Sequence, residues 1–387
     1  MSGTMRFPMT LDSNGCFALA LPVGTPAIPV NVLVDTGSSM LVVYDGPYRR
    51  DADTAATNTR FLQSGSFNNV NFLAAVVQTP VGLPVDATAV TVTRPTANVG
   101  VIYDLGAAIF GDADGILGLA YPSLNAARLM PANTWQARYT PEQARNLGRP
   151  GRDLPPFIDQ CVAAGEIANR FALAVAPSVT SDGDPLRNSN IFVLGGGEES
   201  TDLFTGNFNS VAVVHEAYYH TNLIAVLVGQ QRIEVAPTPA GDPAVSNSFI
   251  DSGSANLVLD PTLFQEIVNR VNLIDGRFGA MLEAGQQDQT QLNLTDWPTI
   301  GFVLQGPGGT TSTITVASRD YWQFDGNGAG IATTSLTAGT APRPGQSILG
   351  LPLFTGRYVV FDRTAGPGAC VVKFAARGGP VAAPLVA

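Results

Sequence analysis

Apolar residues along this chain come in short runs rather than long stripes. Residues 17–21, 30–34, 74–77, 87–92, 191–194 and 358–361 are apolar, often β-branched, and bounded by Gly, Pro, Asn or Asp. Runs of that length between turn formers predict a many-stranded, mostly antiparallel β protein. Helical spacing is confined to residues 156–164 and 261–271, each with Pro near its start. These read as accessory helices on a β body. A polar stretch containing Gly and Pro at 177–190 falls near the middle and predicts two lobes, 1–180 and 181–387.

Composition narrows the function classes. A length of 387 residues suits two domains. Charged residues are only 13% of the chain, too few for the outer faces of a coiled coil or long helical bundle. With 41 Gly and 28 Pro the chain is turn-rich yet short of the composition that favours disorder. The formal net charge is −10 and Lys373 is the sole lysine, so the cationic surface that nucleic acid or an anionic membrane would need is lacking. No stretch is long and apolar enough for a membrane span or a signal-peptide core. Cys16, Cys161 and Cys370 are odd in number and widely spaced; they read as small core residues rather than a disulfide framework or a zinc pair.

The most informative pattern is an internal repeat. Leu33-Val34-Asp35-Thr36-Gly37-Ser38-Ser39-Met40-Leu41-Val42 returns in the second half as Phe249-Ile250-Asp251-Ser252-Gly253-Ser254-Ala255-Asn256-Leu257-Val258. Each copy is followed by a related segment, Gly115-Ile116-Leu117-Gly118-Leu119 in the first half and Ser347-Ile348-Leu349-Gly350-Leu351 in the second. Each unit reads as a buried strand, a tight turn and another apolar strand, with Gly permitting a close backbone approach. One copy alone would pass for an Asx-type turn; two at domain-sized separation point to duplicated lobes. A two-fold arrangement would bring Asp35 and Asp251 face to face. Two close carboxylates share a proton, so one can act as general base on a water while the other donates to a carbonyl oxygen.

At these residues the sequence resembles the pepsin-like (A1) aspartic peptidases, over nearly its whole length. Gly24-Thr25-Pro26, Asp114-Gly115-Ile116-Leu117-Gly118-Leu119-Ala120-Tyr121-Pro122, Leu194-Gly195-Gly196, and Ile348-Leu349-Gly350 followed by Tyr358-Val359-Val360-Phe361-Asp362-Arg363 stand in the family's order. The resemblance implies an all-β, bilobal fold with a substrate cleft between pseudo-symmetric lobes and a few short helices. It implies an aspartic endopeptidase with Asp35 and Asp251 as the catalytic pair and no metal or organic cofactor. Thr36 and Ser252 would support a hydrogen-bond network between lobes, Gly37 and Gly253 would complete the turns, and Ser38 and Ser254 would hydrogen-bond the carboxylates. The expected partners are a peptide or protein substrate and a pepstatin-type inhibitor, on a monomer.

The family's lid hairpin usually carries Tyr-Gly-Thr-Gly, its Tyr bonded to a Trp that follows the first Asp motif. Taking Ser64-Gly65-Ser66-Phe67 as the segment before that hairpin places Gln78 at the Tyr position and Thr79, Pro80 and Val81 at the tip, while Val42 holds the Trp position. A differently built lid is the expectation. Leu33, Ala113 and Ile116 are the candidate residues of an apolar substrate pocket, and Tyr218 is placed near the primed side of the cleft. The family's basic leader and disulfides have no counterpart, which predicts a bacterial homologue lacking a prosegment and a cytoplasmic location; a trimmed secreted or periplasmic protein is the alternative.

Other motifs carry less. His215-Glu216-Ala217-Tyr218-Tyr219-His220 superficially resembles His-Glu-x-x-His but has one residue too many to place both His on one helix face, and it reads as polar strand. No Gly-x-Ser-x-Gly elbow occurs, and two His give little for a Ser-His-Asp triad. The glycine runs at 195–197 and 306–309 lack the Lys-Ser/Thr of a phosphate loop. The competing function is a non-catalytic pepsin-like binding protein that uses the cleft for a peptide, glycan or protein partner.

Overall fold

Strands dominate both halves of the chain. The computed structural model describes residues 3–67, 70–82, 95–103, 109–131, 138–176, 189–237, 246–339, 341 and 343–378. The chain divides into two units, 1–169 with 193–196, and 170–192 with 197–387.

The first unit opens with three consecutive antiparallel strands, β1 (Met5–Leu11), β2 (Phe17–Val23) and β3 (Ile28–Asp35). They are followed by β4 (Leu41–Tyr44), β5 (Thr57–Phe67), β6 (Val70–Pro80), β7 (Thr96–Ile102), β8 (Gly115–Gly118), β9 (Ala126–Leu129) and β10 (Arg152–Asp153). Their order across the sheet is β10-β9-β5-β6-β7-β4-β8-β3-β2-β1. β8 slots between β3 and β4, parallel to the first and antiparallel to the second. Strands covered on both faces read as continuous apolar runs, and Val30, Val32, Leu33 and Val34 of β3 and Leu41, Val42 and Val43 of β4 are all buried. Two helices accompany the sheet, α1 (Pro141–Asn146) and α2 (Phe157–Ala163). α1 starts in a capping box, with Thr140 accepting from the Gln143 amide and the Gln143 side chain accepting from the Thr140 amide.

The second unit begins with β11 (Arg170–Ala174) and the first part of β12 (Asn190–Leu194), whose last two residues fall in the first unit, and goes on with β13 (Phe204–Ala212), β14 (His215–Glu216), β15 (Tyr219–Thr221), β16 (Leu223–Val228), β17 (Gln231–Glu234), β18 (Ser248–Ile250) and β19 (Leu257–Leu259). It continues with α3 (Pro261–Asn272), α4 (Phe278–Ala284), β20 (Gln286–Asp288), β21 (Ile300–Gln305), β22 (Thr311–Val316), α5 (Ser318–Tyr321), β23 (Trp322–Gln323), β24 (Ile331–Thr334), β25 (Leu336–Ala338), β26 (Ser347–Leu349), β27 (Arg357–Asp362) and β28 (Val371–Arg377). β11, β27, β28 and β13 pair antiparallel in that order. A second sheet runs β14-β15-β18-β26-β19-β25, a third β17-β16-β21-β22, and a fourth β20-β24-β23. Stacked Phe171 and Phe361, with ring centroids 4.7 Å apart, and Tyr219 edge-on to Phe361 fill the core between β11, β27 and β15. α3 buries Leu263, Phe264, Ile267, Val268 and Val271, and its first turn is capped by Asp260, which accepts from the Thr262 amide.

The predominantly β, two-unit organisation with few short helices is the one expected. The apolar runs at 17–21, 30–34, 74–77, 191–194 and 358–361 lie within β2, β3, β6, β12 and β27, and the two helical patterns within or around α2 and α3. The run at 87–92 and nearly all of 177–190 lie outside the described residues. The chain first passes from one unit to the other after residue 169, where β11, paired along its whole length with β27, begins. Among the described residues, no helix is long and apolar enough to cross a membrane.

Candidate active site

The apolar strand β3 ends at Asp35, and the chain turns through residues 36–40 before resuming as β4. The Asp35 side chain closes that turn on itself. One carboxylate oxygen accepts from the Gly37 amide at 2.7 Å and the other from the Ser38 hydroxyl at 2.7 Å. The two donors fix the carboxylate's orientation, and the residue is only 4% exposed. Thr36 is fully buried. β8 crosses beneath the turn and holds it through backbone bonds from Gly118 to Met40, Leu119 to Asp35 and Ala120 to Ser38, each 2.8 Å. The approach is so close that a Cβ on Gly118 would sit 2.5 Å from the Met40 nitrogen, so this position requires glycine.

The second unit repeats this construction. β18 ends just before Asp251, β26 pairs parallel to β18 and antiparallel to β19, and the registers agree position by position. Leu33 pairs with Ile116 and Val34 with Leu117, as Phe249 pairs with Ile348 and Ile250 with Leu349. The Gly253 amide donates to the Asp251 carboxylate at 2.8 Å. A Cβ on Gly350 would lie 2.1 Å from the Asn256 carbonyl oxygen. The copies differ in their backbone bonds: Leu119 donates to the Asp35 carbonyl, whereas Leu351 donates to the Ser254 carbonyl, and Pro352, at the position of Ala120, has no N–H to donate. They differ also in the serine. The expectation that Ser254 bonds its carboxylate is corrected: its hydroxyl donates to the Asn256 carbonyl at 2.9 Å. Asp251 is half-buried where Asp35 is buried, and Ser252, like Thr36, is buried.

No protein-family model matches the chain. It is similar to a beta-secretase of Strongylocentrotus purpuratus, with 22% identity over 398 aligned positions covering 92% of this chain and 67% of that protein. That likeness supports an aspartic peptidase at the level of the broad class.

The expected lid residues lie elsewhere. β5 and β6 form an antiparallel hairpin whose strands close at Phe67 opposite Val70, so Ser64-Gly65-Ser66-Phe67 belongs to the end of the hairpin instead of preceding it. Gln78, Thr79 and Pro80 are at the far end of β6, paired with Asn98, Ala97 and Thr96 of β7. Gln78 is exposed and its amide reaches Asn98 at 3.3 Å. Thr79 is fully buried and donates to the Asp53 carboxylate. Val42 pairs with Gly100 of β7 and Ile116 of β8, and a Cβ on Gly100 would lie 2.8 Å from both Val42 and the Oε1 of Gln63 on β5. Gln63 is 3% exposed and donates to the Asn125 side chain. The Asn-Asn dipeptide at 68 and 69, turn-favouring residues between two strand-like runs, is the sequence signal for the hairpin's position.

Leu33, Ala113 and Ile116 are buried at 0%, 4% and 3% exposure. Leu33 and Ile116 are neighbours across β3 and β8, so they are strand core rather than the lining of an open pocket. Tyr218 is half-exposed, one residue beyond the Tyr219–Ile250 pair that adjoins Asp251. Its ring stacks on Phe249 at 4.8 Å and on His220 at 5.4 Å. The His215–His220 segment is a tight hairpin, β14 against β15, as its strand-like neighbours suggest. His220 is buried with neither ring nitrogen hydrogen-bonded. Burial, with smaller contributions from His215 and Arg343, holds its pKa down at about 4.

Proposed function

We propose that this protein is an aspartic endopeptidase in which Asp35 and Asp251 together activate a water molecule. One carboxylate, as general base, takes a proton from the water as its oxygen attacks the scissile carbonyl carbon; the other, protonated, donates to the carbonyl oxygen. Collapse of the tetrahedral intermediate breaks the C–N bond and returns a proton to the leaving amine. The pair then holds one proton again. A shared proton requires an acidic working range, and extended peptides cut between apolar residues are the substrate class.

The observation that carries this reading is the duplication of one device. In each unit a carboxylate at a strand end accepts from the glycine amide two residues on, over a glycine that no other residue could replace. Cleavage of a denatured protein from about pH 3 to about pH 7 tests it, with and without a pepstatin-type inhibitor. Inhibitable cleavage at acidic pH that is lost in Asp35→Ala and in Asp251→Ala is the expected result. Cleavage that is absent, or unchanged in both variants, sinks the reading.

The different use of the serine in the two copies favours a second reading, a binding protein that holds a peptide, glycan or protein without cutting it. Only Asp35 accepts from its neighbouring serine. A statine-type peptide separates the two, since a transition-state analogue binds far more tightly than a matched substrate only at a site organised for catalysis.

A further inference from the structure

Outside the Asp35 turn, the first unit contains a cavity of about 300 Å³ between the β5–β6 hairpin, β9 and α1. Its polar lining comes from Ser64, Asn71, Arg128 and Arg145, and among the described residues no Asp or Glu lines it. Its apolar side is Phe72 with Pro141 and Ala144, resting on a buried cluster of Leu62, Leu73, Met130 and Ala144. Two arginines thus line one hollow in a protein of net charge −10. Arg138, Arg170, Arg232, Arg270 and Arg277 each have a carboxylate partner. Among the described residues Arg128 and Arg145 have none.

The hydrogen bonds around Arg128 leave donors to spare. Its Nε donates to the Gly148 carbonyl at 2.9 Å and its Nη1 to the Ser64 hydroxyl oxygen at 2.8 Å. A guanidinium has five N–H groups, so further donors remain. Because Ser64 accepts from Arg128, its own O–H is free to donate. The hollow therefore offers guanidinium and hydroxyl donors beside an aromatic ring, with no carboxylate among its described lining residues.

We propose that this cavity binds a carboxylate carried on a small apolar body, either the acidic side chain of a peptide or a free arylalkyl carboxylic acid. The carboxylate would lie between Arg128, Arg145 and Ser64, where a planar guanidinium matches it in charge and shape. The apolar body would lie on Phe72 and Ala144. The volume is at the lower end of small-ligand sites, which suits a phenylacetate-sized group. Occupancy would tie the end of the hairpin to α1. None of this depends on the Asp35 and Asp251 reading.

Calorimetric titration of the full chain tests it, with phenylacetate and acetyl-Phe-Glu-amide as probes and phenylacetamide and acetyl-Phe-Gln-amide as their uncharged counterparts. At least one acid should bind in the millimolar range or tighter, its amide at least about tenfold more weakly, the loss of one charge-assisted hydrogen bond at an open site. Binding of the peptide acid alone identifies a peptide ligand, and of phenylacetate alone a small acid. Arg145 is exposed on a short helix, so Arg145→Ala should keep its circular dichroism and weaken binding about tenfold. Arg145→Glu should abolish it. Equal affinity for acid and amide, no binding of either acid, or unchanged affinity in a folded Arg145→Glu variant would overturn the proposal.

Discussion

Asp53 offers the most quantitative test of how the first unit is held together. Its carboxylate is 4% exposed and accepts from the Thr25 amide at 2.9 Å, the Ala55 amide at 3.0 Å, the Tyr48 hydroxyl at 2.6 Å and the Thr79 hydroxyl. Burial by itself would raise its pKa, but the bonds from Thr79, Tyr48, Thr25 and Ala55 outweigh burial and hold it below the ordinary carboxylate value. Burial, together with the Asp53 contact, pushes the Tyr48 hydroxyl up. Replacing Asp53 by Ala strands two fully buried hydroxyls, Tyr48 and Thr79, at about 1 to 3 kcal/mol each, so the loss centres near 4 kcal/mol. Asn costs less. Its oxygen can face the two amides and its NH₂ the hydroxyls, which rotate to accept, so only the charge assistance goes, about 1 to 2 kcal/mol.

Urea denaturation at neutral pH should rank wild type above Asp53→Asn and that above Asp53→Ala. Because the folded pKa is lowered, the stability it contributes is full above the unfolded carboxylate's pKa, near 4, and is lost as pH falls through the folded value. The gap between wild type and Asp53→Asn should therefore close in acid. An Asp53→Ala protein within about 0.5 kcal/mol of wild type, or one indistinguishable from Asp53→Asn, would refute the reasoning.

Gly118→Ala and Gly350→Ala should each destabilise by at least about 1 to 3 kcal/mol, since the added carbon meets backbone that cannot give way; thermal midpoints equal to wild type would contradict this. Ser38→Ala should lower kcat about tenfold by removing a hydrogen bond to Asp35, whereas Ser254→Ala should have a smaller effect because its hydroxyl serves a backbone carbonyl; steady-state kinetics at the pH optimum reads the difference, and equal losses would count against it. His220 is held neutral down to about pH 4 in the folded state, so unfolding is favoured as pH falls from its unfolded pKa near 6.5 towards that value, by roughly 3 kcal/mol in all. His220→Phe should flatten that part of the stability profile, and a slope unchanged by the substitution would show that His220 is not its source.

Much of the site was legible because its signal is local. A strand that ends in Asp, a hydroxyl residue and Gly needs only near neighbours to form its turn, and the Gly37 and Gly253 bonds are two residues long. Gly24-Thr25-Pro26 was recognisable as a motif, but its reason was not: Gly24 has φ +85°, and a Cβ there would meet the Asp53 carboxylate at 2.7 Å. α1 was overlooked although Thr140-Pro141-Glu142-Gln143 spells its capping box; at six residues it is too short for periodicity to register. The hairpin is misplaced by the sequence because a continuously apolar run such as 72–77 carries no alternation to fix its register, and the pairing of Phe67 with Val70 selects one.

The sequence by itself therefore determined a β-rich chain of two halves, each carrying an Asp-Gly turn and an apolar strand that ends in glycine, because strand length, turn chemistry and duplication are written in adjacent residues. The tertiary structure decided which distant groups meet. It took Ser254 to a carbonyl instead of a carboxylate, set Thr79 against Asp53, and brought Gln63 to Asn125. Those choices depend on strand register and on the order of strands across the sheet, and a polar side chain has several partners of equal chemistry until packing removes all but one.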